Sequence, residues 1–141
     1  MQIVLLDLNS TLVENTYVHQ LPCRYNIHLE EYRSWLIKQL VGCYVILITV
    51  RPERYRTETL VRIAALEGWQ PSEAYFSKWS LKAPEAKERI LLEVIYPRWG
   101  RHDEQGNEYL AIESNASTRA MYARHRIPTC TQEDLSAGML L

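Results

Sequence analysis

The chain has 141 residues, 47% of them apolar, and a formal net charge of −1. That length suits a single domain, 1–141, with a full hydrophobic core, and the near-balanced charge gives no electrostatic case for bulk binding to nucleic acid or a membrane surface, although Arg51, Arg54 and Arg56 form a local basic patch. Three scattered cysteines (Cys23, Cys43 and Cys130) with no C-x-x-C spacing argue against a disulfide framework or a zinc site. No apolar run approaches the ~18 residues of a membrane span, and the N-terminus lacks a basic leader, so a cytoplasmic setting without membrane contact is expected.

Ile3–Asp7 is apolar on both faces rather than alternating, which predicts a buried strand ending in a carboxylate. Asn15–Ile27, with Pro22 and turn formers, reads as a loop. Leu29, Tyr32, Leu36 and Leu40 fall at helical spacing, so a helix is expected over Leu29–Val41, stopped by Gly42. "CYVILITV", Cys43–Val50, reads as a second buried strand. Pro52 suits the first turn of a helix running to about Glu67. Ala74–Phe76 is a short strand candidate, and Pro84–Ile95 is a helix with Ile90, Leu91 and Val94 on one face. Tyr96–Asn107 reads as a polar connection, Tyr109–Glu113 as another buried strand, Ala116–His125 as a helix and Ile127–Cys130 as a short edge strand. The tail after Thr131 carries no strong signal.

Strands alternating with helices predict an α/β fold: a three-layer α/β/α sandwich with a mostly parallel, Rossmann-like sheet and no large cap. Right-handed crossovers bring all strand C-termini to one edge, where ligands bind in such folds. The residues of interest are therefore Asp7 and Asn9, Thr49 and Arg51, and Glu113. Two buried acids, Asp7 and Glu113, converging at one edge repel unless a cation lies between them, and a hard divalent ion such as Mg²⁺ with oxygen ligands suits that place. Ser10, Thr11 and their backbone amides form a turn able to cradle an oxyanion. Thr49 offers a hydroxyl to a phosphate oxygen, and either Lys82 or Lys87 supplies the neutralising lysine.

These residues resemble the four motifs of the haloacid dehalogenase-like superfamily. "DLNST" is similar to its first motif, "VILITVRP" to its second, "PEAKERIL" to its third and "YLAIESNASTRAMYARHRIPT" to its fourth, in order over nearly the whole chain. Arg51, following Thr49, resembles the arginine of the capless polynucleotide 3′-phosphatase domains and is expected to bind substrate. The resemblance implies a Mg²⁺-dependent phosphate monoester hydrolase in which Asp7 attacks phosphorus and forms an aspartyl phosphate. It further implies Mg²⁺ held by Asp7, the backbone carbonyl of Asn9 and Glu113, with Ser114 in the fourth motif's second acidic place. Thr49 and Lys87 would grip phosphate oxygens. The substrate would be a phosphorylated nucleic-acid end, a phosphoprotein or a small phosphate ester.

Two positions depart from that family pattern. Where family phosphatases carry an aspartate that protonates the leaving oxygen and then activates water, this chain has Asn9, and Ser114 replaces an acid. General acid–base catalysis contributes ~10²–10⁴-fold, so Asn9 opens an alternative: a catalytically inactive relative acting as a phosphate-, metal- or protein-binding module. Elsewhere the plain readings are preferred. Arg54 and Arg56 are expected on a solvated helix face, and His19, His28, His102 and His125 at the surface. Trp35, Trp69, Trp79 and Trp99 are expected in core or lid packing, and the cysteines are expected to be inert.

Overall fold

The computed structural model describes residues 1–19 and 25–141. The predicted Pro22 turn and Cys23 lie outside the described residues. Five parallel strands form one sheet in the order β3-β2-β1-β4-β5: β1 Gln2–Leu6, β2 Tyr44–Pro52, β3 Glu73–Ser77, β4 Glu108–Ile112 and β5 Thr129–Cys130. The central strand β1 pairs Ile3–Leu6 against Tyr44–Leu47 of β2 and Gln2–Leu6 against Glu108–Ile112 of β4. Both neighbours are buried, which explains the unbroken apolar runs.

Alternating strand residues feed two separate cores. Val4, Leu6, Val45, Leu47, Leu110 and Ile112 face α1 (Ser34–Leu40), α2 (Arg56–Glu67) and the short helix Gln132–Ser136. Ile3, Leu5, Ile46, Ile48, Tyr109 and Ala111 face α3 (Ala83–Ile90) and the helix Ala116–Arg124. Helices therefore cover both faces of the sheet, giving the expected three-layer sandwich.

Several element expectations need correction. The helix expected from Leu29 begins only at Ser34, because Tyr32 bridges antiparallel to Val13 and Ile27–Leu29 forms a separate tight turn. The helix expected from Pro52 opens with a tight turn, Glu53–Tyr55, and α2 itself starts at Arg56, while Pro52 is still paired with Ser77 in the sheet. The supposed connection from Tyr96 is helical at first: α3 continues through the wide turn Leu91–Ile95 into α4, Tyr96–Trp99, where Pro97 falls in the first turn and forfeits little. The chain then runs to α5, Ala116–Arg124, capped by the Asn115 side chain, which accepts from Thr118 N. The tail folds as α6, Gln132–Ser136, where Thr131 and Asp134 cap each other reciprocally.

Parity along the strands sets the site. Asp7 continues the Ile3, Leu5 series and Glu113 the Tyr109, Ala111 series, so both carboxylates project toward the α3 layer. Thr49 and Arg51 continue the Val45, Leu47 series toward α1 and α2. Backbone bonds from Asp7 N to the Ile112 carbonyl and from Glu113 N to the Cys130 carbonyl, 3.0 and 2.9 Å, hold these strand ends together. Past Ile48 the pairing of β2 with β3 slips and resumes at Pro52 opposite Ser77, so Thr49 to Arg51 leave that ladder beside the site.

Candidate active site

After Asp7 the chain makes one wide turn, Leu8–Leu12, closed by Val13 N donating to the Leu8 carbonyl. Within it Asn9 is extended and Ser10 adopts a left-handed conformation, φ 61°. A serine held there costs roughly 1–2 kcal/mol, and Thr16 Oγ1 meets that residue by accepting from Ser10 N at 2.8 Å.

Lys87 lies on the buried stripe of α3, three and four residues before Ile90 and Leu91. Its ammonium donates to Asp7 Oδ1 at 2.8 Å and to Glu113 Oε1 at 2.6 Å. The cation between the two acids is thus supplied by the chain itself. Asp7 Oδ2 accepts from Thr11 Oγ1 at 2.8 Å and from Ser114 Oγ at 2.9 Å. Ser114 Oγ also lies 3.3 Å from the Asn9 carbonyl oxygen. Glu113 Oε2 accepts from Asn115 N, and Arg119 ties the backbone down by donating to the carbonyls of Glu113 and Ser114.

The charges follow from these contacts. Burial alone pushes the Asp7 carboxyl up, but the Lys87 charge and hydrogen bonds from Glu113, Lys87 and Thr11 outweigh it and hold the group below its ordinary value. Burial likewise opposes a charged Lys87, yet the Asp7 and Glu113 charges raise its pKa. Glu113 moves the opposite way to Asp7: burial, opposed by Lys87 and reinforced by Asp7, pushes it up to about 7. Asp7 is therefore a stable carboxylate beside a stable ammonium.

Asp7, Asn9, Ser10, Thr49, Lys87, Glu113 and Ser114 line one cleft of about 200 Å³ with Val50, Ala83 and Asn115. Three of the residues singled out in the sequence lie outside its wall. Thr11 is fully buried with its hydroxyl on Asp7. Lys82 is exposed just before α3. Arg51 is fully buried behind Asn9.

Arg51 is the centre of a second polar cluster. It donates to Glu30 through both terminal nitrogens, to Thr59 Oγ1 at 2.9 Å and to Asn9 Oδ1 at 2.9 Å. The Tyr25 ring lies 4.7 Å from its guanidinium carbon. Glu30 is also fully buried and accepts from Tyr32 Oη at 2.9 Å and from His19 Nε2 at 2.6 Å. Burial raises the Glu30 carboxyl, but the Arg51 bonds and charge, with His19 and Tyr32, hold it below its ordinary value.

Residue-level expectations beyond the site also change. His19 is enclosed against Glu30, and His102 and His125 are largely enclosed, with His125 Nε2 2.6 Å from Glu88; only His28 is exposed as expected. Arg56 is half-buried and donates to the Ala74 carbonyl, whereas Arg54 is exposed. The four tryptophans pack, partly buried, against the two cores. Cys43 and Cys130 are free thiols, and burial with the nearby Asp134 charge pushes Cys130 up to about 11. Glu30, Arg119 and the Thr11–Asp7 bond had no signal in the sequence, since each acts through contacts distant in the chain or local to one turn. Among the described residues no helix is long and apolar enough to cross a membrane.

The fold has solved counterparts. A chain in a structure of the Pnkp1/Rnl/Hen1 RNA repair complex superposes with a TM-score of 0.66 at 19% identity, over 92% of this chain and 42% of that one. A chain in a second structure of a Pnkp1/Rnl/Hen1 complex gives 0.70 at 18%, over 92% and 44%. This chain therefore spans less than half the length of either, and at such identity the likeness is one of fold. No protein-family model and no curated protein matches the sequence.

Proposed function

We propose that this chain is a phosphoryl-transfer domain of the haloacid dehalogenase type, a Mg²⁺-dependent phosphate monoester hydrolase with Asp7 as nucleophile. The observation that carries the reading is Lys87 held between Asp7 and Glu113 at 2.8 and 2.6 Å, in a cleft that also holds Thr49. An ionised carboxylate at a strand end, flanked by an ammonium and a hydroxyl, is a nucleophile beside a phosphate-oxygen grip.

The donor set suits Mg²⁺. Among the described residues no three His, Cys, Asp or Glu side chains converge, so the ion would rely on mixed oxygens. Ser114 Oγ, Asp7 Oδ2 and the Asn9 carbonyl lie 2.9 and 3.3 Å apart, near the separation of about 3 Å between neighbouring oxygens of an octahedral ion bound at about 2.0–2.1 Å. Asp7, Ser114 and the Asn9 carbonyl would hold it, with Glu113 next to them, and when bound it would neutralise phosphate charge. Thr49 and Lys87 orient the phosphate, and Asp7 attacks it. One of the fold relatives is a chain of an RNA repair complex, and a wider hollow of about 570 Å³ beside Asn9, lined by His19, Tyr25, Arg54 and Trp79 among others, has room for an extended substrate. Both favour a nucleic-acid end as the ligand that docks beside the site.

A second reading, a phosphate-binding module without turnover, is favoured by the amide at Asn9. Hydrolysis of p-nitrophenyl phosphate with Mg²⁺ separates the two. The phosphatase reading expects turnover that Asp7→Asn abolishes; turnover absent from the native chain, or unchanged in Asp7→Asn, overturns it.

A further inference from the structure

Resting on that reading of Asp7, we infer that Arg51 fixes Asn9 as a hydrogen-bond donor with no proton to give, so the site accepts phosphate from leaving groups stable as anions. Acyl phosphates, aryl phosphates and phosphoanhydrides belong to this class; simple alkyl phosphates do not.

The orientation of the Asn9 amide follows from chemistry. Guanidinium has five N–H donors and no acceptor, so the Asn9 atom 2.9 Å from Arg51 must be its oxygen. The amide nitrogen then points away from Arg51, and Asn9 lines the cleft. Arg51 itself cannot swing out. Both Glu30 oxygens and Thr59 Oγ1 hold it, and all three residues are fully buried. A buried ion pair is weak evidence for stability, because desolvation offsets its attraction. What this pair does locally is set one amide at the mouth of the site. Arg51 and Glu30 are positioning residues.

Among the described residues, neither His19 nor Glu113 is placed to take over the proton transfer. His19 shares the wider hollow with Asn9, but its Nδ1 accepts from Asn26 N at 2.8 Å, which places its proton on Nε2, donated to Glu30. Glu113 is turned onto Lys87 and Asn115 N.

The consequence is a balanced first step and a slow second one. An Asp7 oxygen bonds to phosphorus while the bond from phosphorus to the leaving oxygen breaks, and that oxygen keeps the electron pair. From an acyl phosphate it departs as a carboxylate and needs no proton. From an alkyl phosphate it departs as an alkoxide, which does. Water attack on the resulting aspartyl phosphate then proceeds without help from Asn9, so breakdown of the phosphorylated chain is the slower step of turnover.

The test is single-turnover labelling of Asp7, read by intact-protein mass, with Mg²⁺ and a donor series: acetyl phosphate, p-nitrophenyl phosphate, glycerol 3-phosphate and a 3′-phosphorylated oligonucleotide. The native chain should label steeply in that order of leaving-group basicity. Asn9→Asp should raise labelling by the two alkyl donors by about 10²-fold or more relative to acetyl phosphate, the contribution of a general acid. Arg51→Lys keeps a charge for Glu30 but loses the fork that reaches Asn9; it should lower the labelling rate without changing the donor concentration at half-saturation. Alkyl donors labelling as fast as acetyl phosphate in the native chain, or an Asn9→Asp variant with the same donor dependence, overturns the inference while leaving Asp7 as nucleophile. Absence of labelling by every donor in both chains overturns the reading of Asp7 and the inference with it.

Discussion

Replacing Arg51 by Met tests the buried cluster that backs the site. The guanidinium makes hydrogen bonds to Glu30, Thr59 and Asn9 with no exposure to solvent. Its loss leaves the Glu30 carboxylate buried with only Tyr32 and His19 as side-chain donors. Breaking one partner of a buried pair costs about 3–5 kcal/mol, and for a chain of this size each kcal/mol lowers Tm by roughly 3 °C, so Arg51→Met should melt about 10–15 °C early. Adding Glu30→Gln removes the stranded charge. The double variant should recover part of the loss, with a coupling of about 1–3 kcal/mol. The sign with pH follows from Glu30, whose pKa in the folded chain lies below its ordinary value of 4.5. Its contribution is fully present above about pH 4.5 and is lost as pH falls through the depressed value. The native chain should therefore exceed the double variant most near neutrality, and the gap should close in acid. Calorimetric melts of the four chains between pH 3 and 8 make the measurement. Additive losses with no recovery in the double variant, or a gap that widens in acid, refute the reasoning.

Lys87→Ala should abolish labelling of Asp7 by acetyl phosphate, whereas Lys82→Ala, at an exposed position, should leave it unchanged. Mg²⁺ at about 100 times its Kd should stabilise the chain by about 2.7 kcal/mol, read as a thermal shift, reduced in Ser114→Ala and absent in Asp7→Asn. Thr131→Ala removes the cap of α6 and should cost about 1 kcal/mol, visible as a small fall in Tm with labelling intact.

The strands were legible because a parallel sheet covered on both faces demands unbroken apolar runs, and Ile3–Leu6, Val45–Ile48 and Tyr109–Ile112 are such runs. Their order of appearance then brought Asp7, Thr49 and Glu113 to one edge. Lys87 was open to selection over Lys82 by its spacing from Ile90 and Leu91, which puts it on the stripe that faces the sheet. Helix ends were less legible. Pro97 marks a break in sequence but is accommodated in the first turn of α4, and Tyr32 has helical spacing but is taken by a bridge to Val13. The pair Thr131 and Asp134 carried a capping signal that the weak apolar pattern of the tail obscured. The second cluster was legible only in part: Asn9 and Arg51 stand at the same sheet edge, but Glu30 carried no signal, and the three are joined across 21 and 42 residues of chain, so only the folded arrangement turns them into a device that orients one amide.

The most direct test of Asp7 as the phosphoryl acceptor is fluorine NMR of beryllium fluoride, a phosphate mimic, added to the chain with and without Mg²⁺. Bound resonances that require Mg²⁺ and vanish in Asp7→Asn are the predicted result. No bound resonance in the native chain, or resonances that survive Asp7→Asn, would contradict it.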